Sequence, residues 1–103
     1  MKIADDIMQK VLHETKADAQ NCKHTCYQFE VLYSPYDLSA IYVRYVRSDT
    51  SNPDNPEESY RWLCFNDQGE RVACDPEFDS LSEENHFKNT MVQVQTIPYF
   101  SDL

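Results

Sequence analysis

Glycine is almost missing from this chain: Gly69 is the only one in 103 residues. One glycine cannot build a P-loop or a dinucleotide fingerprint, since both need several residues without a Cβ against a phosphate. Bases are scarce as well, nine Lys and Arg against eighteen Asp and Glu, for a net charge of −9. Nucleic-acid binding relies on lysine and arginine to displace counterions, and anionic membranes attract the same residues. Neither nucleic acid nor membrane is therefore an expected direct partner. No apolar run approaches the length of about 20 residues that a membrane span needs. Lys2, Asp5, Asp6, Lys10, Glu14, Lys16 and Asp18 break up any signal-peptide core. The expected location is cytoplasmic, where the four cysteines stay reduced.

What is present is aromatic and acidic. Seven tyrosines and five phenylalanines supply enough apolar surface to exclude a disordered acidic tail. The length suits one domain, residues 1–103, with a modest core.

Residues 3 to 17 place Ile3, Ala4, Ile7, Met8, Val11 and Leu12 at the spacings of one helical face. Asp5 and Asp6 fall in the first turn, where the helix dipole favours acid, and Lys16 near the end. His13 flanks the apolar stripe and reads as a boundary residue. Tyr27, Phe29, Val31 and Tyr33 then alternate as a strand, Ser34-Pro35-Tyr36-Asp37 signals a turn, and Ile41, Val43 and Tyr45 alternate as its partner. Residues 48 to 58 carry Pro53 and Pro56 and no apolar side chain, which marks a surface loop.

The central feature is SYRWLCFNDQGERVAC, residues 59 to 74, with Gly69 and the only tryptophan, Trp62. Asn66-Asp67-Gln68-Gly69 between two β-rich arms reads as a hairpin whose turn ends in a left-handed glycine. Counting outward pairs Asn66 with Glu70, Cys64 with Val72 and Trp62 with Cys74. The Trp62, Cys64, Val72 and Cys74 face is the less charged and reads as the core face, leaving Leu63, Phe65, Arg71 and Ala73 on the other. Pro76 prevents a central strand from continuing. A short helical turn is expected before Phe87, capped by Asp75, with Phe78 and Leu81 inward. Met91 to Ile97 forms a last strand. The expected fold is α+β, an N-terminal amphipathic helix packed on a mainly antiparallel sheet of about five strands.

Cys22, His24 and Cys26, with Cys64 and Cys74, raise the question of zinc, but C-x3-C and C-x9-C are not paired knuckles. Small core residues are the better reading of Cys64 and Cys74, and no metal or cofactor is expected. His13, His24 and His86 lie in unrelated segments, and nothing aims any of them at a nucleophile, so catalysis is not expected either.

Charge is lopsided. Residues 1 to 48 hold six acids and six bases, whereas 49 to 103 hold twelve acids and only Arg61, Arg71 and Lys88. Such asymmetry points to an interaction surface. Acids interleaved with aromatics suit docking on a basic protein, the carboxylates steering encounter and the rings supplying anchors. The candidate partner-binding residues are Asp75, Glu77, Phe78, Asp79, Glu83 and Glu84, with Asp54, Glu57, Glu58 and Tyr60. Tyr36-Asp37 and Tyr99-Phe100 are further candidate anchors.

The expected function is that of an acidic inhibitor, an immunity protein or antitoxin that occludes a basic nuclease-type bacterial toxin. The alternatives are an anti-defence protein that mimics nucleic-acid charge, and a small zinc-binding or housekeeping domain. Reversing Glu77, Asp79, Glu83 and Glu84 is expected to slow association and leave the fold intact. Trp62→Ala, read as a core truncation, should cost about 3–5 kcal/mol in chemical denaturation. A small loss would place Trp62 on the surface.

Overall fold

A computed structural model describes residues 3–20, 25–49, 54, 57–72 and 75–99, and their side chains apart from 20, 25–27, 47–49, 57, 58 and 95–99. The fold is α+β. Helix α1 (Asp5–Gln20) precedes strands β1 (Thr25–Ser34), β2 (Asp37–Asp49) and β3 (Glu57–Asn66), then helix α2 (Leu81–Asn89) and strand β4 (Val92–Tyr99). The sheet is antiparallel with strand order β3-β2-β1-β4.

Helix α1 forms where the apolar spacing requires, and runs three residues beyond the expected end. Ile3, Val11 and Ala19 are buried, with Ile7, Met8 and Leu12 half-buried beside them. Thr15 sits on the same face, and its hydroxyl is satisfied by donating to the Val11 carbonyl at 2.8 Å. The extension leaves Lys16 outside the last turn, which contains no base. Against this face pack Phe29 and Val31 of β1, Ile41, Val43 and Tyr45 of β2, and Leu63 and Phe65 of β3. These residues oppose one another across the ladders, Phe29 with Tyr45, Val31 with Val43, Val43 with Leu63 and Ile41 with Phe65.

The expected assignment of faces is therefore corrected. Leu63 and Phe65 are in the main core, and the Trp62 side is the second buried face, covered by α2 and residues 75–80. Alternation reports a single core only when one face of a sheet meets water. Here both faces are covered. Arg71, whose charge argued against the Leu63 side, lies beyond the edge strand and reaches carboxylates there.

The central turn follows the expected register. The Asn66 N–H donates to the Glu70 carbonyl at 2.8 Å, the Val72 N–H to the Cys64 carbonyl at 3.1 Å, and Phe65 bridges Arg71. The Asn66 side-chain oxygen accepts from the amides of Gln68 and Glu70, bracing the loop from inside. Cys74 lies outside the described residues, so its pairing with Trp62 is not on view. Among the described residues the returning arm pairs only from Glu70 to Val72, and the sheet has four strands. Asp75 explains why. Its carboxylate accepts from the Cys64 N–H at 3.1 Å, the position a carbonyl of a fifth strand would take. Asp75 is thus not the cap of α2, a role that Ser80 takes. Leu81 points outward, 61 % exposed, because the helix begins there rather than earlier.

Gly69 has φ +79°, and its turn is seated on α1. A Cβ there would come within 3.1 Å of the Ile7 carbonyl oxygen and of the Lys10 Cβ. Two constraints thus converge on one residue, a left-handed backbone and a close approach.

At the far end of α1, Asp18 joins the helix to the β3 edge. Arg61 donates to it from Nε at 2.8 Å and Nη2 at 3.1 Å, the Tyr45 hydroxyl donates as well, and Arg71 stands 3.7 Å away. Burial pushes the Asp18 carboxyl up, but the Arg61 and Tyr45 hydrogen bonds and the two guanidinium charges outweigh it and hold the carboxyl below its ordinary range.

Two outcomes follow from these contacts. Gly69→Ala should destabilise by about 1–3 kcal/mol in urea unfolding, from a strained φ and the crowded α1 contact. A folded carboxyl held below its unfolded value of about 4 contributes stability fully present above that pH, and lost as pH falls through the folded value. Asp18→Asn should therefore be less stable than wild type at pH 7, with the gap in denaturation midpoints narrowing below pH 4. A gap independent of pH would contradict this linkage.

Candidate partner-binding cleft

The second face of the sheet carries Glu30, Leu32, Tyr42, Arg44, Tyr60, Trp62 and Cys64, brought together by the pairings Glu30 with Arg44, Arg44 with Trp62 and Tyr42 with Cys64. Residues after Asp75 cross this face and enter α2. The Ser80 hydroxyl accepts from the Glu83 amide at 3.1 Å, and the Glu83 carboxylate accepts at 3.2 Å from the amide of Asp79, the residue before the cap, so both bonds set the helix start. Acid in the first turn and His86 and Lys88 in the last complement the helix dipole.

Two kinds of contact hold α2 down. One is aromatic: Trp62 meets Phe78 and Phe87 at centroid distances of 5.6 and 5.4 Å, and Tyr42 meets Phe87 at 5.5 Å, all edge to face. The other is ionic. Arg44 Nε donates to Glu84 at 2.7 Å, Arg44 Nη1 lies 3.7 Å from Glu30, and Lys88 Nζ lies 3.0 Å from the same carboxylate. The Arg44 guanidinium also stacks 3.6 Å from the Tyr60 ring centroid. Two acids and two bases balance, and three of the four residues are buried.

Beside this cluster opens a cleft of about 340 Å³ lined by Tyr60, Arg61, Trp62, Pro76, Glu77, Phe78 and Glu84. Four of the ten candidate binding residues meet at one place, Glu77, Phe78 and Glu84 from one segment and Tyr60 from β3. Arg61 is already engaged by Asp18, and Glu84 by Arg44. Glu77 is exposed and has no ion-pair partner among the described residues. Trp62 is 4 % exposed, and its indole Nε1–H is buried with no acceptor among the described residues. Such a donor left unpaired costs about 1–3 kcal/mol.

The other candidates divide. Asp79 and Glu83 are exposed at the α2 N-terminus, next to the cleft in sequence, and Asp54 is exposed elsewhere. The side chains of Glu57 and Glu58 lie outside the described set. Asp75 is half-buried and committed to Cys64, Arg71 and Arg61. Glu84 is buried, so it is a structural anchor of α2 with one side on the cleft, and its reversal no longer qualifies as harmless to the fold. Phe78 is half-buried against Trp62 and Phe87 rather than a free anchor. Tyr36 is 91 % exposed at the β1–β2 turn. The side chain of Tyr99 and all of Phe100 fall outside the described residues.

Cys22, His24 and Cys74, and the Cys26 side chain, also lie outside the described residues. Cys64 is buried, and burial pushes its thiol up, which suits a small packed residue rather than a thiolate ligand. Among the described residues no group of His, Cys, Asp and Glu is placed to hold a metal ion, and no helix is long and apolar enough to cross a membrane.

Sequence reasoning missed Arg44, Glu30 and Lys88, and the internal ion pair that commits Glu84 to Arg44. Arg44 and Glu30 occupy positions of their strands that alternation alone assigns to solvent. The buried Trp62 N–H could have been suspected only from its having to find an acceptor.

Comparison with family models, curated proteins and solved structures finds no match to this chain. The functional reading rests on the molecule itself.

Removing one partner of a buried pair leaves the other charge uncompensated, which costs about 3–5 kcal/mol. Glu84→Ala should lose stability on that scale in urea unfolding, whereas Glu77→Lys should change it by less than about 0.5 kcal/mol. Equal effects would show that Arg44 is not held by Glu84.

Proposed function

We propose that this chain is an acidic protein-binding inhibitor, an immunity protein that neutralises a basic nuclease-type toxin in the cytoplasm by occluding its active or nucleic-acid-binding surface. The observation that carries the reading is the convergence of Tyr60, Glu77, Phe78 and Glu84 on one cleft with Trp62. Aromatic walls and a carboxylate without an internal ion pair suit a lysine or arginine side chain of the partner. Arg44 supplies an internal precedent, a guanidinium stacked on Tyr60 and bonded to Glu84. Around this cleft the acidic half of the chain would steer a basic partner, accelerating encounter more than it tightens the final complex.

The engagement of Asp75 and Glu84 in internal ion pairs weighs against the alternative of nucleic-acid charge mimicry, which needs its carboxylates outward. Binding rather than catalysis is the role proposed.

Co-expression with a nuclease-type toxin domain encoded beside the chain tests the reading. The expected result is restored growth and a purified one-to-one complex that weakens as salt rises. The double variant Glu77→Lys, Asp79→Lys should fold normally and associate at least about tenfold more slowly, with little change in dissociation rate. No rescue, or an association rate indifferent to both salt and the double variant, would overturn it.

A further inference from the structure

The two edges of the sheet are finished differently. On the β3 edge, Asn66 and Cys64 are paired with Glu70, Val72 and the Asp75 carboxylate. On the other edge, β4 has one strand neighbour, β1, and among the described residues no strand on its outer side. Edge strands are ordinarily protected from further pairing by charged side chains, above all lysine. Here that protection is missing, since residues 89 to 101 contain no Asp, Glu, Lys, Arg or His. It is the longest such run in the chain. Val92 and Val94 on this strand are 41 % and 36 % exposed.

We infer that β4 pairs with β4 of a second copy, joining two four-stranded sheets into one antiparallel sheet across a two-fold axis. The charge map selects a second copy over an unlike partner. A molecule of net charge −9 repels itself over most of its surface, and this neutral edge is where two copies can meet without facing carboxylates. The β1–β4 ladder skips Val94, since Val31 opposes Gln95 and Leu32 opposes Gln93, so the edge offered to the second copy runs in two pieces, Val92–Gln93 and Gln95–Ile97, on either side of it. Pro98 has no N–H to give and bounds the pairing at the far end. β3, which carries one wall of the cleft, lies three strands away, about 14 Å across the sheet. Each copy therefore keeps its cleft open, and the inference stands whether or not the proposed function does.

Sedimentation equilibrium of the purified chain, from about 5 to 500 μM at low and high salt, tests it. The expected mass rises to twice the 12.1 kDa of the chain. Self-association should tighten with salt, because salt screens like-charge repulsion, opposite in sign to the salt response of a complex with a basic partner. Val94→Lys and, separately, Val92→Lys should return the protein to the monomer mass with an unchanged far-ultraviolet dichroism spectrum. Leu38→Lys, at a 51 % exposed apolar residue by the β1–β2 turn, should leave the dimer intact. In the wild type, β4 amides should exchange more slowly with solvent at high protein concentration than at low. A monomer mass throughout, a dimer untouched by both β4 lysines, or β4 exchange rates independent of concentration would overturn the inference.

Discussion

The buried guanidinium of Arg44 is the constraint on which the second half of the fold depends. A charge taken out of water is tolerated only when its hydrogen-bonding capacity is met by fixed partners. Its neighbour across the β1–β2 ladder supplies Glu30, but 3.7 Å leaves that contact incomplete. Glu84 completes it, and Glu84 comes from α2. The segment from Asp75 to Asn89 must therefore cross this face of the sheet in one position, and Phe78 and Phe87 are brought onto Trp62 as a result. Apolar contacts alone would allow the helix to slide, whereas a paired arginine fixes where along the strand it rests. The cleft between β3 and this segment is a by-product of that placement.

The molecule thus has two cores of different character. Beneath α1 the packing is aliphatic and aromatic with few polar atoms, and the Gly69 turn and Asp18 pin the helix at its two ends. Beneath α2 the packing is aromatic and ionic, and less of it is sealed. A binding surface is better placed on the second, where side chains held by directional bonds border open space, than on the first, where interdigitated side chains leave nothing to offer a partner.

How much of this the sequence revealed depended on the range over which each signal acts. Gly69 and Asn66 act within a few residues, and counting outward from them gave the pairings of Asn66 with Glu70 and Cys64 with Val72 correctly. The α1 stripe was legible because i, i+4 spacing is a property of the helix itself. The faces of the sheet were not legible. Whether Leu63 or Trp62 lies inside is decided by what covers each side, and both are covered. The ion pairs were hidden by register. Ser34 opposes Asp37, yet Tyr33 opposes Ile41, and a second shift falls at Gln28, whose backbone has φ +56°. Counting from Pro35 therefore does not place Glu30 opposite Arg44. A carboxylate before a proline suits a helix cap, and nothing local to Asp75 shows that it takes the Cys64 amide instead. The clustering of Tyr60, Glu77 and Phe78 was foreshadowed only by their common acidic and aromatic character.

The strand order has a kinetic consequence. β1 lies inside the sheet, but its two neighbours reach it at different times. β2 follows at once through a short turn, whereas β4 follows only after β2, β3 and α2. Contacts of such long sequence separation form late, because the intervening chain must be ordered first. Until the β1–β4 ladder closes, the β1 edge, with Phe29 and Val31 along it, is bare. During that interval β1 can be claimed by the β4 of a neighbouring chain as readily as by its own. Exchange of the last strand between molecules is the misassembly to which this topology is most exposed.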